Sequence, residues 1–146
     1  MFTNFGNPHR YQGRLSGPLM DRIDLHVEVP ALATDVVLHA PAGESTASMR
    51  ERCVAARHMA QLRQGKPNQA LAGQEIQVHA PPNAATAQFL QSASLRLGWS
   101  ARSLHRTLKI ARTIADLAGS ATIELAHAAE ALQYRRATAP PPGVLA

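Results

Sequence analysis

The arginines are the residues of this chain best suited to bind a charged ligand, because they supply most of its charged side chains. The chain has 146 residues and a net charge of +5, and every one of its 15 basic residues except Lys66 and Lys109 is an arginine. A guanidinium group binds phosphate or carboxylate oxygens through a planar pair of donors. We therefore expect a partner that carries phosphates or an acidic surface, such as a nucleotide, a nucleic acid or an acidic protein.

One basic stretch contains no acidic residue and gives the candidate DNA or phosphate contacts. Its basic residues are Arg96, Arg102, Arg106, Lys109 and Arg112. The alternative for Arg106, Lys109 and Arg112 is that they form the solvated face of an amphipathic helix. Trp99, within the same stretch, could stack on a base, but its place between two predicted helices suits a core residue better.

Other catalytic arrangements are not found in the sequence. A P-loop requires a lysine after its second glycine, and here Gly65-Lys66 is followed by Pro67 and has Ala60 where the first glycine should stand. The seven histidines never occur four residues apart, and Cys53 is the single cysteine, so we expect no metal site and no intrachain disulfide. We therefore expect the chain alone to hydrolyse no ATP and to hold no cofactor tightly.

The elements that must position the arginines are predicted to be mainly helical. Apolar residues alternate with polar ones over Ile23–Val29, which predicts a strand. Breakers and helix-capping residues predict helices at about residues 45–63, 84–97, 100–118 and 122–135. An aromatic content of only 4% leaves a core of Ala, Leu, Val and Ile, which suits packed helices. The expected fold is a small bundle of about four helices preceded by one short strand.

Targeting signals are also missing from the sequence. No run reaches the 18 or so apolar residues of a membrane span, and the first ten residues hold no apolar stretch of the secretory type. We expect a cytoplasmic protein with no membrane partner. The Pro-rich residues 137–146 are expected to form a disordered tail.

Two segments resemble one family. They are YQGRLSGPLMDRIDLHVEV, residues 11–29, and SARSLHRTLKIARTIADLAG, residues 100–119, which AEALQYR continues at residues 129–135. Both resemble the C-terminal part of the magnesium chelatase-related AAA+ ATPases of the ComM/YifB type. The resemblance implies a helical lid at residues 44–136, preceded at residues 1–43 by a remnant of the AAA+ α/β core. It also implies that the chain begins after the P-loop, the Walker B acids and the sensor 1 asparagine, none of which can be placed in it.

The resemblance assigns roles to two arginines. Arg22, in LMDRID, matches the position that supplies an arginine finger to the nucleotide of a neighbouring subunit. Arg102, in SARSLHR, matches the sensor 2 arginine, which contacts nucleotide phosphates from the start of a lid helix. Judged from the residues alone, Arg22 would pair with Asp21 or Asp24 on the surface, and Arg102 would belong to a solvated helix face.

For the parent protein, the resemblance implies ATP hydrolysis with ATP and Mg²⁺, self-association into a ring, and DNA remodelling such as branch migration in competence or recombination. Two other classes of function remain open. The chain could be a stand-alone basic helical module that binds DNA, or a module that serves oligomerisation alone. Both alternatives would leave Arg22 and Arg102 without a role in ATP hydrolysis.

Overall fold

The computed structural model of the chain describes residues 22–27 and 29–136, and their architecture is helical. In chain order the elements are α1 (Thr34–His39), α2 (Thr46–Gln64), a 3₁₀ turn (Asn68–Ala70), α3 (Gln74–His79), α4 (Ala84–Leu97), α5 (Ala101–Leu117) and α6 (Leu125–Arg136). The mainly α fold class and the four longer helices are confirmed, with bounds that differ from the predicted ones by up to about three residues.

Side-chain caps explain where the longer helices begin. Ser45, Asn83 and Ser100 precede α2, α4 and α5, and each accepts a hydrogen bond from the backbone N–H three residues later, at 3.2, 2.8 and 3.2 Å. Such a bond satisfies one of the N–H groups that have no partner within the helix. Gly65 and Gly98 end α2 and α4 with φ values of 71° and 61°, a left-handed conformation that suits glycine.

The core lies around α5, which packs mainly against α6 and α2. The faces that meet there carry small and aliphatic side chains. The small ones let the helix backbones approach closely. The central cluster consists of Leu71, Ile76, Ala80, Ala111, Ala115, Ile123 and Ala131. Ala111 and Ala115 on α5 are fully buried, whereas Ala118 lies beyond the helix end and is exposed.

The prediction of a strand at Ile23–Val29 is wrong for the described part of that segment. Residues 23–27 and 29 form no strand, and the side chains of Leu25 and Val27 are 51% and 67% exposed. The segment instead makes one backbone hydrogen bond, from the N–H of His26 to the carbonyl of Tyr134 at 2.9 Å. A strand needs a neighbouring strand for its backbone groups, and the helices described here offer none.

Two short helices were not predicted. α1 buries none of its residues. α3 lies in the weakly patterned stretch before α4 and buries Ile76. Residues 137–146, for which the sequence predicts a disordered tail, lie outside the described residues.

Candidate functional site

Arg102 lies in the first turn of α5 with its side chain exposed. The preceding Ser100 caps this helix, so Arg102 lies at the end of α5 where the first N–H groups have no partner within the helix. The free N–H groups and the positive end of the helix dipole favour an anion at this end. An exposed guanidinium placed there can add a charged hydrogen bond to the same anion.

Arg22 is the first residue that the structure describes, and it is exposed. Of the two surface partners that the sequence suggests for it, Asp21 lies outside the described residues. Asp24 pairs instead with Arg106, with 3.1 Å between its Oδ1 and the Nη1 of the arginine. Within the described residues no ion pair joins Arg22 to Asp24.

Arg106 and Lys109 have partners within the fold, so the interpretation of both as a solvated helix face is wrong. The Arg106 side chain is only 16% exposed and carries the ion pair to Asp24. The Nζ of Lys109 donates to the backbone carbonyls of Gln69 and Leu71, at 3.0 and 3.4 Å. Lys109 thereby connects α5 to the 3₁₀ turn and the residue after it.

Arg112 is buried, which corrects both expectations made for it. Its side chain is 1% exposed, so it lies neither on a solvated helix face nor within reach of a DNA backbone. The guanidinium donates to the carbonyls of Ser120 and Ala121 at 2.5 and 3.0 Å, and to Asp116 Oδ1 at 3.1 Å. Arg112 therefore supports the turn that joins α5 to α6.

Asp116 is the centre of a buried polar network. Arg63 donates to both of its carboxylate oxygens, at 2.7 and 2.9 Å, and Asn68 donates to it at 2.8 Å. Burial opposes ionisation of Asp116, but the hydrogen bonds from Arg63 and Asn68 and the charge of Arg112 outweigh it, so its pKa is lowered. Burial and the neighbouring charge of Arg63 lower the pKa of Arg112, although its ion pair with Asp116 acts in the opposite direction.

Sequence reasoning missed this network because its members are far apart in the chain. The four-residue spacing of Arg112 and Asp116 on one helix was the only local signal. Arg63 and Asn68 come from the end of α2 and from the 3₁₀ turn, which only the packing of α2 on α5 brings to the carboxylate.

Arg96 is exposed in the last turn of α4, just before the link to α5. Trp99, in that link, is half-buried, as expected for a residue at a helix junction. Of the predicted phosphate or DNA contacts, Arg96 and Arg102 are thus the two with exposed side chains. They flank the same short link between helices.

A groove of about 300 Å³ lies where the segment around Asp24 meets the helices. Asp24 and Leu25 line it from the segment, Arg106 and Ile110 from α5, and Tyr134 from α6. The segment that carries Arg22, residues 22–27, therefore lies against α5, the helix whose first turn contains Arg102.

Over residues 22–27 and 29–136, no group of three or more His, Cys, Asp or Glu residues is arranged to hold a metal ion. No helix there combines the length and the apolar character that a membrane crossing requires.

Comparison with known families gives two matches that together cover most of the chain. The family model described as "Magnesium chelatase, subunit ChlI C-terminal" matches residues 43–135. The model described as "Magnesium chelatase, subunit ChlI" matches residues 3–37.

Similar curated proteins include "Competence protein ComM" of Haemophilus influenzae, which is 44% identical over 127 residues. "Uncharacterized protein YifB" of Salmonella typhimurium and its namesake of Escherichia coli are 41% and 39% identical over the same length. Each alignment covers 86% of this chain but 25% of the relative, so the chain spans about a quarter of the length of these proteins. On the family match over residues 43–135, the chain belongs to the magnesium chelatase family and corresponds to the C-terminal part of its ChlI-type AAA+ proteins.

Proposed function

We propose that this chain is the C-terminal part of an AAA+ ATPase and supplies Arg22 and Arg102 to ATP phosphates in an oligomeric ring. In this proposal residues 1–43 complete the AAA+ core and residues 44–136 form the lid. One observation carries it: both guanidinium groups are exposed, whereas Arg106 and Arg112 bind partners within the fold. Two arginines at family-matched positions are thus available to a ligand.

The two arginines would act at different places on the nucleotide. Arg22 is the arginine finger, which reaches the nucleotide of the neighbouring subunit and stabilises the charge that develops on the γ-phosphate oxygens. Arg102 is the sensor 2 residue, which binds phosphate beside the free N–H groups at the start of α5. The described residues offer no carboxylate cluster suited to Mg²⁺. We therefore assign the Mg²⁺ ligands to the P-loop part of the parent protein, and to this chain the supply of positive charge.

The test is ATP turnover by a full-length parent protein that contains this chain. Arg22→Ala should lower kcat by about 10³-fold, in the range known for arginine fingers. Arg102→Ala should remove most of the turnover as well, and both variants should keep the wild-type unfolding midpoint because neither side chain packs in the core. Arg50→Ala, which removes an exposed arginine from the first turns of α2, is the matched control. Wild-type turnover by either variant would reject the role of that arginine.

Subunit mixing then tests whether Arg22 acts in trans. The Arg22→Ala protein is mixed with a subunit whose P-loop is inactivated, and each is inactive alone. At hybrid interfaces an intact finger faces an intact P-loop, so the mixture should regain activity. No recovery in mixed rings would contradict a finger that acts across the subunit boundary.

DNA remodelling is the proposed purpose of the ATPase, and the basic residues beside the α4–α5 link are the candidate DNA contacts. Arg96 is the exposed member of the predicted set that is not assigned to ATP. One phosphate contact predicts weak binding, and the logarithm of the association constant should fall with the logarithm of the salt concentration at a slope of about −0.9. Arg96→Ala should reduce this slope by about 0.9 in an anisotropy titration with labelled duplex DNA.

The same measurements decide between the alternatives. Tight DNA binding by this chain, with a much steeper salt slope, would favour a stand-alone DNA-binding module. A stable oligomer of this chain in gel filtration, without DNA binding, would favour an oligomerisation module.

A further inference from the structure

We propose that Arg106 is a positioning residue for Arg22 and that it acts through Asp24. The ion pair between Arg106 and Asp24 would fix where the Arg22 segment lies on α5. This inference rests on the proposed function, because it concerns how the finger is held, but its first test needs no ATP.

The ion pair is the first observation. Arg106 Nη1 lies 3.1 Å from Asp24 Oδ1, and only 16% of the arginine side chain is exposed. Asp24 is 53% exposed and comes two residues after Arg22. A largely buried arginine side chain on α5 thus pairs with a partly exposed carboxylate of the segment that carries Arg22.

A second contact holds the same segment on the neighbouring helix. The His26 N–H donates to the carbonyl of Tyr134 in α6 at 2.9 Å. The segment is therefore attached at alternate residues, Asp24 to α5 and His26 to α6. Between these attachments Leu25 lines the groove of about 300 Å³, and it remains 51% exposed. The two polar contacts thus fix the segment at two points, one on α5 and one on α6, while Ile23 and Leu25, at 36% and 51% exposure, add partial apolar burial.

The position of Arg106 on α5 links the two proposed phosphate ligands. It follows Arg102 by one helical turn, about 6 Å along the axis, on the same side of the helix. Asp24 is in turn separated from Arg22 by at most about 7 Å of extended backbone. Arg106 therefore stands one helical turn from Arg102 and pairs with a residue two positions from Arg22, although it need not touch the nucleotide.

The first experiment measures amide hydrogen exchange of His26 in the 146-residue chain. Arg106→Ala and Asp24→Asn should each lower the protection of this amide by about 2- to 5-fold, the range expected when a partly exposed ion pair is lost. Arg50→Ala should leave it unchanged. The exchanged pair, Asp24→Arg with Arg106→Asp, should restore the protection. Wild-type protection in Arg106→Ala would overturn the proposal.

The second experiment measures ATP turnover by the same variants in the full-length parent. Arg106→Ala should lower kcat by about 10- to 100-fold with little change in KM, because a displaced finger weakens transition-state charge stabilisation rather than ATP binding. The exchanged pair should recover most of kcat. If Arg106 were itself a phosphate ligand, KM would rise and the exchanged pair would stay inactive, since an aspartate then stands at residue 106.

The two experiments separate the two proposals. Lowered His26 protection together with full turnover by Arg22→Ala would overturn the finger assignment while keeping the Asp24–Arg106 attachment. Unchanged His26 protection together with an inactive Arg22→Ala would overturn the positioning role and keep the finger.

Discussion

The N-terminal segment (residues 22–27 and 29–43) and the helical unit (residues 46–136) differ in how far their side chains are buried. Of the described residues in the segment, none is buried and only His26 is half-buried. Its apolar side chains, such as those of Val27 and Val29, are 67% and 83% exposed. The helical unit instead encloses Ile76 and Ile123 at 2% and 0% exposure and also buries the charged network around Asp116.

This difference shows that apolar patterning stabilises a segment only when complementary structure is available. The helical unit contains its own partners, since α2 and α6 both pack on α5, and α4 packs on α6. The alternating residues of the N-terminal segment have no adjacent strand among the described residues. Among the described contacts, an ion pair from Asp24 to α5 and a backbone hydrogen bond from His26 to α6 attach them to the helical unit. Its position is thus more easily changed, a property that suits the arginine finger we propose for Arg22.

Hydrogen exchange should show the largest contrast between the two regions. The amides of Leu104 and Leu108 in α5 should be protected by at least about 10³-fold more than those of Leu25 and Val27, because core helices open only with global unfolding. Residue-resolved exchange on this chain measures the difference. Equal protection would mean that the N-terminal segment has a partner beyond the contacts described here.

Removing the central carboxylate should be the most destabilising single change in the helical unit. Asp116→Ala leaves the buried Arg112 without its counterion and should lower the free energy of unfolding by about 3–5 kcal/mol. Glu44→Ala is the matched control, because its ion pair with Arg52 is exposed, and its effect should stay below about 1 kcal/mol. Urea unfolding monitored by circular dichroism gives both values. Similar losses for the two variants would show that the buried network contributes no more than a surface ion pair.

Shortening one apolar side chain in each region should give a smaller but direct comparison. Ile76→Ala creates a cavity in the core and should cost about 2–5 kcal/mol. Val27→Ala, in the exposed segment, should change stability by no more than about 0.5 kcal/mol. The same urea titrations measure both variants, and a cost for Val27→Ala near that of Ile76→Ala would contradict the assigned exposure.

Acid should weaken the helical unit by a modest amount through Asp116. Its pKa is lowered from the ordinary value of 3.8, so the unfolded chain binds the proton first as the pH falls. The stability that this carboxylate contributes is therefore complete well above pH 3.8 and is lost as the pH falls below it towards the folded pKa. Thermal unfolding between about pH 6 and about pH 3 should show a steeper decline for the wild type than for Asp116→Asn. Parallel declines would mean that another group causes the acid sensitivity.

The helices were predictable because their signals are local. Ser100 and Gly98 stand at the ends of α5 and α4, and caps act within one turn of the helix. The exposure of Arg102 agrees with the alternative that places it on a solvated helix face. The strand at Ile23–Val29 failed for the opposite reason, because strand formation depends on a partner that the alternation itself does not provide.

By itself, the sequence determined the helical class, the helix ends, the family segments and the two arginines with matched positions. Only the tertiary structure decided which of the other basic residues bind partners within the fold. Arg112, Lys109 and Arg106 lie on the same helix and look alike in sequence, yet one is buried, one binds backbone carbonyls and one holds Asp24. The physical reason is that the free energy of a charge depends on its neighbours in space. The N-terminal segment, the end of α2 and the residues at the 3₁₀ turn bring such neighbours from distant parts of the chain.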